Sequence, residues 1–346
     1  MAVDESNALL CWYVVDKRRL PWRPAPGAAP DPYRVWLSEI MLQQTTVAHA
    51  APYFEKFTAR WPAVADLAAA EDDEVMAAWA GLGYYARARN LLACARKVTG
   101  ERGGVFPSEE SELRKLPGIG EYTAAAVAAI AFGRRAVAVD ANVERIVARL
   151  FTVEETLPAA RPRIRELAAT LVPNDSPGPY TEAMMALGQT VCTPRSPDCG
   201  RCPLTSFCAG HRAGDPGRYP RKAAKKKRPS RSGTAYWLEH DGHVLLDRRP
   251  SKGLLGGMLA LPERKPAELD WSEGGAVDHV FTHFALRMNL LCAEVDSRPE
   301  GIWWPIERIA EAGLPTLFSK LAERGMAWRE SPLPPELKIE ALASCP

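Results

Sequence analysis

The apolar periodicity of this chain changes once, across a basic run interrupted by proline, and that change predicts two folding units of different kinds. Up to about Cys208, the segments DEVMAAWAGL, ARARNLLACARKV, TAAAVAAIAF, ANVERIVARLF and TEAMMALGQTVC are rich in Ala and Leu, with apolar residues at helical spacing. Strand signals are nearly absent there. Beyond the run, AYWLEH and HVLLDRR flank Asp241-Gly242, a residue pair that tight hairpin turns favour. VDHVFTHFALRMNLLCAEV reads as further strand, and IERIAEAG and TLFSKLAERG read as short helices. The expectation is a multidomain α and α+β chain: an all-helical domain over 1–212, a basic linker over 213–232 and a smaller α+β domain over 233–346. There is no internal repeat.

The run itself, RYPRKAAKKKRPSR from Arg218 to Arg231, carries eight basic residues, no acidic ones, and Pro220 and Pro229. Like-charge repulsion and proline predict a solvated tether, which would also lie well beside a polyanion. The net charge of +2 by itself says little about partners, and 346 residues at 47% hydrophobic suffice for two cores without staples. The first residues, MAVDESNALL, lack a basic segment followed by an apolar one, and TAAAVAAIAF is too short to span a bilayer. The expectation is a soluble, cytoplasmic protein without a membrane partner.

Cys192, Cys199, Cys202 and Cys208 crowd into 17 residues, whereas Cys11, Cys94, Cys292 and Cys345 are scattered without a pairing pattern. That suits a reducing compartment and one metal site. Zinc sites usually carry two short-spaced pairs across a longer loop. Here one Cys-x2-Cys is flanked by wider gaps, and the run holds no histidine.

Upstream, SEESELRKL runs into Leu116-Pro117-Gly118-Ile119-Gly120, followed by a long Ala-rich helix. Gly118 and Gly120 let backbone approach a ligand closely, and the amides opening the next helix suit a phosphate. A plain interhelical turn is the competing reading, and Glu121 counts against an anion unless its side chain points away. The turn resembles the helix-hairpin-helix of DNA repair proteins. Twenty residues beyond Gly120, Asp140 precedes a helix in AVAVDANVERI and would alone read as an N-cap. Taken with the hairpin and the cysteine spacing, it resembles the endonuclease III superfamily of DNA glycosylases. That resemblance implies a 4Fe–4S cluster on Cys192, Cys199, Cys202 and Cys208, acting as a structural clasp since no coordination position is left for substrate. Arg195 and Arg201 are then candidate phosphate contacts.

WLSEIMLQQTTV at 36–47 and GLGYYARARN at 81–90 narrow the resemblance to adenine DNA glycosylases of the MutY type. Membership implies a monomeric base-excision repair enzyme acting on double-stranded DNA with adenine opposite 8-oxoguanine or guanine, associated with the nucleoid if bacterial. Such an enzyme flips the nucleotide out of the duplex. The resemblance places Gln44, Thr45, Leu82 and Tyr84 in the vacated stack. Glu39, in the apolar context LSEIML, would protonate adenine, and Asp140 would stabilise the cationic sugar. Arg23, Asn142 and Glu182 match positions near the sugar and adenine. Ala141 replaces the family's usual glycine, which puts the loop geometry in question. Tyr122 stands where the bifunctional relatives carry a Schiff-base lysine, so the implied reaction is monofunctional, leaving an abasic site.

The C-terminal domain resembles the MutT-like (Nudix-fold) module by which these enzymes recognise 8-oxoguanine. Phe281, Thr282 and His283 match its reading loop, with Thr in place of Ser. Gly257 and Glu263 begin a hydrolase motif, but Trp271 and Ser272 stand where Arg and Glu belong, so nucleotide hydrolysis is not expected. The rivals are an endonuclease III-type pyrimidine glycosylase/lyase, against which Tyr122 and the added domain count, and a non-enzymatic iron–sulfur DNA-binding protein, against which Glu39 and Asp140 count.

Overall fold

A computed structural model describes residues 4–25, 27–223, 228–250, 253–281 and 283–330. The chain divides into two compact units, residues 1–71 with 89–225 and residues 72–88 with 226–346. In chain order the helices are α1 (Glu5–Asp16), α2 (Pro32–Met41), α3 (Val47–Arg60), α4 (Val64–Ala69), α5 (Asp72–Trp79), α6 (Ala86–Arg102), α7 (Glu110–Leu113), α8 (Glu121–Phe132), α9 (Ala141–Leu150), α10 (Arg161–Leu171), α11 (Pro177–Thr190), α12 (Ala209–Arg212) and, near the end, α13 (Thr316–Arg329). None is long and apolar enough to cross a membrane.

α8 is central to the first unit. Its stretch Thr123–Ala129 is buried on every side, and its small side chains let both α2 and α11 pack against it. α2 starts on an Asp31 cap with Pro32 in its first turn and is likewise buried nearly all round, from Val35 to Met41. α11 also packs on α9 and α1, around Leu9, Ile146, Val147, Met184 and Leu187.

The basic run departs from the expected tether. Tyr219 is buried in this helical core, and its hydroxyl donates to Glu154 Oε1 at 2.6 Å. Arg218 Nη2 and Arg221 Nη1 each lie 2.9 Å from Glu154 Oε2, and Lys222 bridges Leu157. Residues 213–222 of the proposed linker are therefore folded onto the helical unit, because one distant carboxylate offsets their charge. At its other end the linker stops early, since the first strand starts at Ser230.

The strands are β1 (Ser230–His240), β2 (His243–Arg248), β3 (Leu259–Ala260), β4 (Ser272–Val280), β5 (Ala285–Glu294) and β6 (Ile302–Pro305). They form one sheet of order β3-β2-β1-β5-β4, with β6 also paired to β2. β1 and β2 make the expected hairpin, pairing Glu239 with Val244, and Asp241 and Gly242 take the positive φ values of 43° and 69° that such a turn needs. β1 and β5 run parallel from Ser230↔Ala285 to Glu239↔Glu294. α13 covers one face through Leu317, Phe318 and Leu321, over Trp237 and Leu290.

The β3–β4 connection, where a Nudix hydrolase carries its metal-binding helix, has no helix among its residues. Glu263 is taken up in an ion pair with Arg249, and Trp271 packs edge-on against Tyr236 at 4.9 Å. The decayed motif thus has no scaffold for a metal.

Candidate active site and iron–sulfur loop

Glu39 projects from α2 and is only 6% exposed. Tyr122, on the first turn of α8, donates its hydroxyl to Glu39 Oε2 at 2.8 Å and touches Met185 Sδ at 3.6 Å. Burial pushes the Glu39 carboxyl up to about 7; the Tyr122 hydrogen bond opposes this, and the negative charges of Asp140 and Glu182 add to it. Tyr122, buried beside those carboxylates, is held far above the usual phenol range and serves as a donor.

Asp140 caps α9. Its Oδ1 accepts from the amides of Asn142 and Val143 at 2.9 and 2.8 Å, and its Oδ2 accepts from Asn142 Nδ2 at 2.7 Å. The capping reading and the catalytic one are therefore compatible, since three donors fix the carboxylate's direction. Ala141 is simply the first residue of α9 and has no positive φ, so glycine is not required there.

A recess is lined by Glu39, Arg23, Glu182, Trp22, Arg18 and Gln189, among others. It brings together three of the residues singled out in the sequence. Asp140 and Asn142 are not among its lining residues, though Asp140 lies close enough to act on Glu39 electrostatically. Sequence reasoning missed Tyr13, whose hydroxyl donates to Glu182 Oε2 at 2.9 Å, and Met185. An aromatic in an apolar helix and a methionine at helical spacing both read as ordinary core.

The hairpin turn behaves as expected of a backbone site. Gly118 has φ 72°, and a Cβ there would lie 2.7 Å from Asn90 Cβ, so both conformation and space demand glycine. Gly120 caps α8 without a side chain over the helix amides. Glu121 is drawn aside by Arg165, whose Nη1 is 3.0 Å from its carboxylate.

Gln44 and Tyr84 both sit in left-handed backbone, at φ 62° and 50°, and both are exposed, Tyr84 at 56%. Strain of that kind persists only where surrounding structure holds it. Arg87 does so for Tyr84: its guanidinium lies 5.7 Å from the Tyr84 ring and 5.2 Å from Trp79, and it donates to the carbonyls of Leu82 and Gly83. Thr45 is half-buried. Leu82 departs from expectation: it is 5% exposed and anchors its loop in the core, so it is not presented for insertion into DNA.

In the second unit Phe281 is half-buried, 4.6 Å from His279 and 4.9 Å from Phe284, while His283 is exposed. Thr282 lies outside the described residues, as does Cys345.

The four loop cysteines are free thiols lining one recess of about 290 Å³ with Arg149 and His211. Arg149, buried in α9, donates to Cys192 Sγ at 3.2 Å and to the Thr193 and Pro194 carbonyls at 2.8 and 3.1 Å. Burial first, and the neighbouring Cys192 and Cys208 after it, push the Cys202 thiol up to about 11, against hydrogen bonds from the Leu204 backbone and Thr205, so a bound positive charge would favour its thiolate. Four cysteines around one recess, with no histidine in the run, make a donor set that fits an all-thiolate iron–sulfur cluster. Arg195 and Arg201 are exposed beside it. Arg145, one turn before Arg149, donates to the Cys192 and Gly188 carbonyls, each at 2.7 Å, and to Asn142 Oδ1 at 2.9 Å. α9 therefore joins the Asp140 cap to the cysteine loop.

A buried acid near a capped Asp, a glycine hairpin turn opening α8 and a four-cysteine loop are the arrangement of a base-excision DNA glycosylase fold. Residues 37–174 match the HhH-GPD superfamily of base excision DNA repair proteins, residues 192–208 the iron–sulfur binding domain of endonuclease III, and residues 233–324 the NUDIX domain. Over 74% of this chain, the adenine DNA glycosylase of Homo sapiens is 36% identical; over 90%, that of Mus musculus is 32% identical. The chain belongs to the adenine DNA glycosylase family. It spans 56% of the human relative's length and 76% of the mouse relative's. A solved thermostable thymine-DNA glycosylase is 31% identical over 60% of this chain and 95% of its own, with a TM-score of 0.54.

Proposed function

We propose that this protein excises adenine from duplex DNA where it faces 8-oxoguanine or guanine, and that it leaves the strand intact at an abasic site. The observation that carries the reading is the Tyr122–Glu39 hydrogen bond, which puts a phenol beside a buried acid whose proton is retained to near neutrality.

Adenine leaves poorly as an anion. A flipped base entering the recess meets the Glu39 carboxyl, which delivers its proton as the glycosidic bond breaks, while the Asp140 carboxylate stabilises the sugar's positive charge. Tyr122 orients Glu39 and supplies no amine, so no imine forms and no strand is eliminated. Arg23, Glu182 and Asn142 border the base and sugar. Gln44, Thr45 and Tyr84 enter the gap, Gly118 and Gly120 hold a phosphate, and Phe281, Thr282 and His283 read the opposite base. A 4Fe–4S cluster on Cys192, Cys199, Cys202 and Cys208 clasps the loop. The protein works as a monomer in the cytoplasm, on the nucleoid if bacterial, with a helical catalytic domain that takes in residues 213–222 and a recognition domain that begins with β1 at Ser230.

The test is a panel of duplexes carrying A:8-oxoG, A:G, T:G and thymine glycol, each split with and without alkali. Breakage at adenine alone, and only after alkali, is expected. Breakage at thymine or thymine glycol, or at any base without alkali, would favour an endonuclease III-type glycosylase/lyase.

A further inference from the structure

Tyr84 holds an aromatic ring out in solvent on a backbone that tyrosine rarely adopts. Gly81 and Gly83 take φ values of 99° and 68°, and Tyr84 follows at 50°. A Cβ on Gly83 would meet nothing within 4 Å, so that glycine answers to conformation and not to space. Two such glycines leave the loop free to wander unless something outside it fixes its path.

Arg87, in the first turn of α6, supplies the restraint. Its amide donates to the Tyr84 carbonyl at 2.8 Å, and its Nη2 donates to the carbonyls of Leu82 and Gly83 at 3.0 and 3.2 Å. Its guanidinium carbon is 5.2 Å from the centre of the Trp79 ring and 5.7 Å from that of Tyr84, within cation–π reach of both. Trp79 is fully buried, and its Nε1 donates to the Gly83 carbonyl at 3.0 Å, so the cation is referred to a ring anchored in the core. Burial lowers Arg87 to about 10, which leaves it charged at neutral pH, and a partly desolvated cation holds an aromatic face more firmly than a solvated one. One side chain thus sets both the path of the loop and the direction of the ring.

A ring that fills the gap left by a flipped nucleotide works best when its loop is ordered before DNA arrives, since ordering it on contact would be charged against the flipped state. Resting on the base-flipping reading above, we propose that Arg87 is a positioning residue for the flipping step, presetting the Tyr84 ring as a wedge. It acts through Tyr84 and touches no reacting atom.

The test is a double-mutant cycle in the full-length protein with Arg87→Gln, Tyr84→Ala and the two together, read as single-turnover excision from an A:8-oxoG duplex at saturating enzyme. Arg87→Gln should slow excision about tenfold. In the Tyr84→Ala background, where no ring is left to aim, the same change should alter the rate by less than about twofold. A second readout is 2-aminopurine placed next to the 8-oxoguanine, whose fluorescence reports its stacking. Wild type should change that signal on binding, and Arg87→Gln should cut the change by half or more at saturation. Equal slowing by Arg87→Gln with and without the Tyr84 ring would give Arg87 a folding role or a direct DNA contact and overturns the proposal. An unchanged rate or an unchanged fluorescence response in Arg87→Gln overturns it too. Should Arg87→Gln fold poorly, Arg87→Lys, which keeps the charge and loses the flat guanidinium face, goes through the same cycle under the same criteria. A wild type that neither excises adenine nor alters the fluorescence would instead overturn the base-flipping reading, and this proposal with it.

Discussion

Glu39 is buried beside one phenol and near two carboxylates, so its proton is bound more tightly in the folded state than in the unfolded chain. The folded protein therefore binds more protons between the ordinary carboxyl value and about 7, and stability falls as pH rises through that window. A shift of this size corresponds to about 3 kcal/mol, fully lost only above it. Glu39→Gln should melt higher than wild type at pH 8, with the gap closing toward pH 5, while excising adenine orders of magnitude more slowly. Thermal denaturation at the two pH values checks it; a gap independent of pH would mean that the carboxyl is not buried as a charge. Glu39 could be singled out because it sits in a long, specific motif, and Asp140 because of its spacing from the hairpin and the cysteine run. Tyr13 was not, because its partner Glu182 lies 169 positions away and only the tertiary fold joins them.

At the scale of elements, α9 and α11 meet where no side chain fits. A Cβ on Gly188 would lie 2.5 Å from Asn142 Cβ, and Asn142 in turn holds Asp140. Gly188→Ala should therefore force α11 away from the cap, destabilising the protein by about 1–3 kcal/mol and slowing excision beyond what the lost stability explains. Denaturant unfolding alongside single-turnover rates tests this; a rate unchanged in the folded variant would show that the cap tolerates displacement. The helices were visible in the apolar spacing, and so was the Asp241-Gly242 hairpin. The basic run misled because charge counting along the chain cannot see Glu154, which gathers Arg218, Tyr219 and Arg221 back onto the helical core. Leu82 misled because the resemblance carried a role onto its position without its side-chain direction, which is inward, while Tyr84 is exposed.

The whole molecule couples a helical unit bearing the acid to a sheet unit whose hydrolase motif has lost its helix. The helix-free β3–β4 connection was foreshadowed by Trp271 and Ser272, since a missing Arg-Glu pair is readable without a structure. His283 is exposed on that unit, as the proposed reading of the opposite base requires. His283→Ala should weaken the preference for A:8-oxoG over A:G in excision while sparing the slower removal of adenine from A:G. Equal losses on both duplexes would give His283 a folding role instead.

The central claim is that excision runs on a proton held by Glu39, and the rate of adenine excision against pH tests it most directly. Single-turnover rates on an A:8-oxoG duplex, with binding measured at each pH, should fall as pH rises through about 7 while the duplex stays bound. A rate that stays level or climbs through that range, with binding intact, would contradict the account.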